Sequence, residues 1–119
     1  MNNKKVACVG SGVIGASWAI CFALKDLDVV VYDINDEVLS KAKTIIHDNL
    51  NILKENNVLD ETRLQEVENH IKLTTSMEEA VRGACFIQES APEHYDVKHQ
   101  VVKEIEKYCL DDAIIASST

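Results

Sequence analysis

The sequence predicts an α/β fold: a doubly wound, mainly parallel sheet in a single domain. Two observations lead to this prediction. Short apolar runs alternate along the chain with segments of helical period, and a glycine-rich turn directly follows the first apolar run. Strands that are buried on both faces of a parallel sheet have continuous apolar runs, and their alternation with helices is typical of βαβ units. The 119 residues contain no repeat and no Gly/Ser linker, so we expect residues 1–119 to form one domain.

Five apolar runs predict the strands, and the first two are rich in valine, which favours strand structure. The expected strands are 6–9, 29–32, 71–73, 85–89 and 113–116.

Five segments predict helices. The first covers 13–24 and is apolar except for Ser17. The second begins after an N-cap at Asn35 or Asp36 and has apolar residues at steps of three and four from Val38 to Leu53. The third follows Asp60. The fourth begins at Ser76, which with Glu79 fits a capping box, and the fifth follows Pro92, the single proline.

Composition excludes several classes of function. With 12 Lys+Arg against 20 Asp+Glu, the formal net charge is −8, and a nucleic-acid-binding protein needs clustered basic residues instead. No apolar run approaches the length of a membrane span, and the first apolar run is interrupted too early for a signal peptide. We therefore expect a cytoplasmic protein.

The four cysteines are Cys8, Cys21, Cys85 and Cys109, and none belongs to a C-x-x-C pair or lies at zinc-ligand spacing from a histidine. Each has apolar neighbours in the sequence. The expectation is therefore four buried, reduced thiols and no metal site.

The glycine-rich turn at residues 10–15 reads Gly-Ser-Gly-Val-Ile-Gly and matches the pattern G-x-G-x-x-G. It follows a predicted strand and opens a predicted helix, which is the context of a dinucleotide-binding Rossmann fold. Gly10 would allow the tight turn, Gly12 would let a pyrophosphate approach the backbone, and Gly15 would let the helix pack closely on the strand. The helix N-terminus would add free N–H groups and a partial positive charge. A glycine turn without a ligand is the alternative.

Asp33 follows the second predicted strand, 18 positions after Gly15. A carboxylate there can accept hydrogen bonds from the adenosine ribose, and it would repel a 2′-phosphate. Neither Ile34 nor Asn35 offers a cation for such a phosphate, so the sequence favours NAD over NADP. FAD and S-adenosylmethionine domains can also place an acid here, and a helix-capping or solvated carboxylate is a further alternative.

Over essentially its whole length the chain resembles the NAD-binding domain of the L-3-hydroxyacyl-CoA dehydrogenase family. The resemblance rests on four features: the glycine motif with Val9 before it, the long helices from Asn35 to about His70, the segment Ile87–Glu93, and the C-terminal stretch 112–119. Glu-Ser-Ala-Pro-Glu at 89–93 and Ile-Ile-Ala-Ser-Ser-Thr at 114–119 look most like the L-carnitine 3-dehydrogenase branch. The branch of gulonate 3-dehydrogenase and lambda-crystallin is also similar, through the glycine motif and the Ser17–Trp18 pair.

The resemblance implies NAD as cofactor and a set of contact residues that is carried over position by position. Gly10, Gly12, Gly15 and Asp33 match the pyrophosphate and ribose positions, with Val13 and Ile14 completing the glycine motif. Glu93 and Lys98 match positions near the nicotinamide. Ser90 and Ser118 stand at cofactor positions where the family usually has other side chains. An ordinary helix-start acid and a solvated lysine are the alternatives for Glu93 and Lys98.

The resemblance also implies a hydride transfer at C3 of a 3-hydroxy substrate, a histidine base oriented by a glutamate, and a homodimer formed through a helical domain. A serine and an asparagine that assist the histidine are implied as well. The serine and the His–Glu pair would come after Thr119, so no catalytic residue is assigned here, and we expect this chain alone to be inactive and monomeric. His47, His70, His94 and His99 are interpreted as surface or structural residues. A stand-alone nucleotide-binding module and a structural protein built on the same fold remain alternative functions.

Overall fold

Five parallel strands form one sheet in the order β3-β2-β1-β4-β5. The computed structural model describes residues 4–90 and 95–117, and for residues 95–98 it describes the backbone alone. The strands are β1 Lys5–Val9, β2 Asp28–Tyr32, β3 Ile71–Thr74, β4 Phe86–Glu89 and β5 Ile114–Ser117. The helices are α1 Val13–Leu24, α2 Asp36–Glu55, α3 Glu61–Asn69, α4 Met77–Val81 and α5 Tyr95–Tyr108. The predicted α/β fold with a parallel sheet is confirmed, and the last two strands begin one residue later than expected.

The sheet separates two apolar cores. On one face, α1, α2 and α3 cover β1, β2 and β3, with Cys8 and Val31 of the sheet meeting Ala19, Leu50 and Val67 of the helices. On the other face, α4 and α5 cover the sheet, and Ile105 of α5 belongs to the same core as Val9 and Ile87 of the strands. The apolar residues of α5 that the sequence predicts to face inward are Val97, Val101, Val102, Ile105 and Tyr108. Ile105 is fully buried, Val101, Val102 and Tyr108 are only partly buried, and the side chain of Val97 lies outside the description.

Side-chain caps fix the starts of three helices. Asn35 accepts from the N–H of Glu37, Asp60 accepts from that of Arg63, and Ser76 accepts from that of Glu79. The capping box predicted for Ser76 and Glu79 is only half formed. Thr74 at the end of β3 accepts the Ser76 N–H at 3.0 Å and donates its hydroxyl to the Glu79 carboxylate at 3.2 Å. Thr74 thus takes the donor that Glu79 was expected to satisfy.

The expectation of four buried thiols is wrong for two of them. Cys8, in the central strand, is fully buried, but Cys21 lies on the outer side of α1 and Cys85 lies just before β4, and both are exposed. Cys109 is partly buried. Apolar sequence neighbours do not distinguish these cases, because α1 is apolar all round and its outward positions are apolar as well.

Among residues 4–90 and 95–117, no helix is both long and apolar enough to cross a lipid bilayer. Within the same residues, no three His, Cys, Asp or Glu side chains are grouped as metal ligands would be.

Candidate functional site: the carboxyl edge between β1 and β4

The strand order reverses between β1 and β4. From β1 the chain adds β2 and β3 on one side, and it then crosses back to add β4 and β5 on the other. In open parallel sheets, ligands bind beyond the carboxyl ends of the strands at such a point. Two hydrogen bonds join the strand ends here: Gly10 N–H donates to the Tyr32 carbonyl at 2.8 Å, and Ser90 N–H donates to the Val9 carbonyl at 2.7 Å. The loops after β1, β2 and β4 therefore meet at one edge.

The three glycines of the loop have different surroundings. Gly10 has φ of 100°, a conformation that side chains rarely adopt, so it supports the turn out of β1. A Cβ on Gly15 would collide with the carbonyl group of Gly10, which shows how closely α1 approaches the loop. A Cβ on Gly12 would have no atom of the described residues within 4 Å, apart from those of Gly12 itself and its neighbours in the chain. The protein itself therefore does not require a glycine at position 12, and the space beside it is open for a ligand that approaches the backbone.

The start of α1 is suited to an anion. Gly12 is the N-cap and has no side chain to accept the helix N–H groups, and the first turn carries no acidic residue. The N–H groups of a first turn lack partners inside the helix, and the helix dipole adds a partial positive charge. Val13 and Ile14 are 66% and 60% exposed, so they present apolar surface beside the open N-terminus. The residues present therefore fit a bound pyrophosphate.

Asp33 follows β2 directly and lies against the glycine loop. Its Oδ2 accepts two hydrogen bonds from Ser11, one from the backbone N–H at 3.1 Å and one from the hydroxyl at 3.0 Å. Its Oδ1 accepts the N–H of Asn35 at 3.3 Å. The carboxylate is partly exposed, and Ser11 is only 1% exposed. The predicted pyrophosphate and ribose residues are thus brought together, and Ser11, which sequence reasoning did not single out, connects them.

Tyr32, the last residue of β2, is buried beside this acid. Burial is the main cause that raises the pKa of its phenol, and the negative charges of Glu104 and Asp33 raise it further. The phenol therefore stays neutral at physiological pH.

The end of β4 contributes buried polar groups. The Ser90 hydroxyl is buried, and no described residue gives it a hydrogen-bond partner. Glu89 is fully buried, and the Ser117 hydroxyl at the end of β5 donates to its Oε1 at 2.8 Å. Sequence reasoning assigned Ser90 but gave Glu89 no role; the only available signal was an acid that ends an apolar run.

Three predicted contact residues cannot be placed. Glu93 and Ser118 lie outside the described residues. Lys98 lies in the first turn of α5, but its side chain is not described. Their roles remain predictions.

His47 and His70 lie away from the carboxyl edge of the sheet and contact acidic side chains elsewhere. His47 on α2 contacts Glu68 at 2.7 Å, and His70 contacts Asp28, the first residue of β2, at 3.1 Å. Their interpretation as surface or structural residues fits these contacts. A cavity of about 330 Å³ lies between α2, α3 and β3 and contains none of the predicted site residues. It is lined by the charged or polar side chains of Lys43, His47 and Glu68 and by three apolar ones.

Comparisons with known proteins agree with this geometry. The profile of the family described as "3-hydroxyacyl-CoA dehydrogenase, NAD binding domain" matches residues 5–119. The chain is 40% identical over 116 residues to an L-carnitine dehydrogenase/betainyl-CoA thioesterase of Agrobacterium fabrum, covering 97% of this chain and 23% of that protein. It is 34% identical over 117 residues to the human lambda-crystallin homolog, covering 96% of this chain and 36% of that protein.

A solved structure extends the likeness to three dimensions. The (S)-3-hydroxybutyryl-CoA dehydrogenase of Ralstonia eutropha superposes with a TM-score of 0.92 at 30% identity, covering 99% of this chain and 41% of that one. The chain spans between about a quarter and two fifths of the length of these three proteins. Both branches expected from the sequence are represented among these relatives. The chain belongs to the 3-hydroxyacyl-CoA dehydrogenase family, whose NAD-binding domain it represents.

Proposed function

We propose that this chain is the cofactor domain of an NAD-dependent dehydrogenase that acts on a 3-hydroxy compound. The single observation that carries the proposal is the open space at Gly12, beside an uncapped helix N-terminus at the point where the strand order reverses. The local φ of −60° is open to any residue, and a Cβ at Gly12 would not clash with the described residues, so neither backbone conformation nor packing requires a glycine there. A pyrophosphate that approaches the backbone accounts for it.

The chain's own residues would divide the dinucleotide between them. Gly10, Gly12, Val13, Ile14 and Gly15 would hold the pyrophosphate through the loop and the first turn of α1. Asp33 would accept hydrogen bonds from the adenosine ribose.

The nicotinamide would lie at the ends of β4 and β5. Ser90 supports this assignment, since its buried hydroxyl has no partner among the described residues. Glu93, Lys98 and Ser118 are proposed to complete that end of the site.

NAD supplies the hydride acceptor, and the protein supplies position and electrostatics. The reaction also needs a base for the proton of the 3-hydroxyl group, and no described residue is placed for that task. We propose that the base belongs to a helical domain of the parent enzyme and that the parent is a homodimer through that domain. We therefore expect this chain alone to show no turnover and to be a monomer.

The name of the Agrobacterium relative supports L-carnitine as a substrate, or a compound like it. The name of the Ralstonia structure supports a 3-hydroxyacyl-CoA substrate instead, and with it a role in fatty acid metabolism. We favour the carnitine-like substrate because that relative has the higher identity.

We also propose a cytoplasmic location.

Asp33→Ala tests the assignment directly. Loss of hydrogen bonds to a charged acceptor costs about 1.5–3 kcal/mol, so NADH should bind the variant roughly 10- to 150-fold more weakly. NADPH binding should be unchanged or stronger, because the carboxylate that repels a 2′-phosphate has gone. Calorimetric titration of the wild type and of Asp33→Ala, each with NADH and with NADPH, measures these affinities. Equal affinity of the wild type for NADH and NADPH, or an unchanged NADH affinity in the variant, would show that Asp33 does not bind the ribose.

A further inference from the structure

Ser11 stands at the second position of the glycine loop and is 1% exposed. Both of its hydrogen-bond donors point to one atom. The backbone N–H and the hydroxyl donate to Oδ2 of Asp33, which comes 22 positions later in the chain. A buried hydroxyl needs a partner, and this one has a charged partner.

The two oxygens of the Asp33 carboxylate therefore have different environments. Oδ2 is held by two donors from Ser11, whereas Oδ1 has one long contact at 3.3 Å from the Asn35 N–H. Each carboxylate oxygen can accept about two hydrogen bonds. Oδ1 therefore has more remaining capacity for a ligand hydroxyl than Oδ2.

We propose that Ser11 is a positioning residue that sets cofactor specificity by fixing the Asp33 carboxylate against the glycine loop before the cofactor binds. The proposal rests on the ribose role proposed for Asp33. Ser11 holds Oδ2, so Oδ1 is the oxygen that accepts from the ribose. The fixed negative charge then also excludes a 2′-phosphate from the same place.

The physical basis is preorganisation. An aspartate without Ser11 could turn about both side-chain bonds, and the cofactor would have to order it on binding. A mobile carboxylate could also turn away from a 2′-phosphate, so discrimination between NAD and NADP would weaken.

The test is Ser11→Ala in the full chain, titrated with ADP-ribose and with its 2′-phosphate, which occupy the adenosine half of the site. The variant keeps the backbone N–H and loses the hydroxyl. We expect roughly tenfold weaker ADP-ribose binding and little change for the 2′-phosphate, so the ratio of the two affinities falls. Ser17→Ala is the matched control, because it also removes one serine hydroxyl, which donates to the Val13 carbonyl inside α1. It should leave the ratio unchanged.

A purely structural role of Ser11 would give a different result. Both ligands use the loop for their pyrophosphate, so a distorted loop would weaken both equally and leave the ratio as it was. That outcome, or no change in either affinity, would overturn the inference. Asp33→Ala in the same experiment separates the two proposals. If it leaves the ratio unchanged, the ribose assignment itself fails; if it lowers the ratio and Ser11→Ala does not, the role of Ser11 alone fails.

A measurement without ligand checks the same claim. Three-bond NMR couplings of Asp33 should show one χ1 rotamer in the wild type and averaging between rotamers in Ser11→Ala. A single rotamer in both proteins would mean that the Ser11 hydroxyl does not hold the carboxylate, and would overturn the positioning role proposed for this side chain.

Discussion

Gly12 and Gly15 stand three positions apart, and the protein surrounds them differently. Gly15 faces the Gly10 carbonyl so closely that no Cβ can be added without a shift, whereas Gly12 faces open space. The sequence pattern predicted both roles, close packing for one and ligand approach for the other. One motif thus contains a position on which folding depends and a position proposed to serve binding.

Alanine at each position should separate the two effects. Gly15→Ala forces α1 away from the loop, and overpacking of this kind costs about 1–3 kcal/mol of the free energy of unfolding. Gly12→Ala is compatible with the local φ of −60°, but alanine is a poorer N-cap than glycine. This loss opposes the gain from a less flexible unfolded chain, so stability should change by no more than about 1 kcal/mol in either direction, while NADH binding weakens. Urea unfolding measures the stability of each variant, and titration with NADH measures its affinity for the cofactor. Full NADH affinity in Gly12→Ala would contradict the proposed approach of the pyrophosphate.

The contact between Ser11 and Asp33 was not predictable from the sequence. Spacing predicted Asp33 because an acid after the second strand has a known relation to the glycine loop. The partner of that acid depends on how the ends of β1 and β2 lie side by side, with Val9 opposite Tyr32. Glu89 escaped attention for a similar reason, since its contact with Ser117 exists only after β4 and β5 pair.

At the scale of elements, apolar runs, periodicity and capping residues predicted every helix and strand that the structure describes. The apolar positions of α2 recur at helical spacing, and Leu39, Ala42, Ile46 and Leu50 are buried as expected. The half-formed capping box at Ser76 shows the limit of local patterns. Thr74 belongs to the preceding strand, and its competition for the Ser76 N–H depends on where β3 ends.

The turn between α1 and β2 is held by a residue of another element. Arg63 of α3 donates to the Asp26 carboxylate at 2.7 Å and to the Leu24 carbonyl at 2.8 Å. Asp26 has φ of 62°, an uncommon conformation for a residue other than glycine. The hydrogen bond from Arg63 is the main cause that lowers the pKa of Asp26 below its ordinary value of 3.8.

Arg63→Met should therefore destabilise the chain in a pH-dependent way. A lowered folded-state pKa contributes stability above the unfolded value, and the contribution is lost as pH falls through the folded value. The wild type should exceed the variant by a few degrees in Tm at neutral pH, and the difference should shrink as pH falls below about 3.8.

Thermal unfolding from pH 7 to pH 3 measures the difference. Arg82→Met is the control. It removes an exposed ion pair between Arg82 and Glu78, which lie only four positions apart, and it should change Tm little at any pH. A wild-type advantage of the same size at pH 3 and pH 7 would refute the coupling to Asp26.

At the scale of the whole molecule, the sheet forms a central layer with a core on each face. Cys8 lies in the middle strand and is fully buried, and burial raises the pKa of its thiol to about 12. Alternation of strands and helices predicted this layer arrangement. The exposure of Cys21 and Cys85 could not be predicted in the same way, since it depends on which parts of α1 and of the sheet the other elements leave uncovered.

Alkylation should report this difference. At pH 8, iodoacetamide should modify Cys21 and Cys85 in the folded protein, while Cys8 should react only when the chain unfolds, because its thiol is both inaccessible and protonated. Peptide mass spectrometry across a urea series follows each site. Modification of Cys8 without denaturant at the rate of Cys21 would mean that the central strand opens locally.

The pairing of β1 with β4 also affects how the chain folds. The N–H of Cys85 donates to the carbonyl of Lys5, 80 positions away, so β1 gains its second neighbour only after β4 has been made. Long-range parallel pairing is slow to form. A chain that ends before β4 would contain the complete glycine motif and still present β1 as an open edge, on which a strand of another molecule could add. Between the synthesis of the motif and the closing of the sheet, β1 therefore has an unpaired edge that can take part in aggregation.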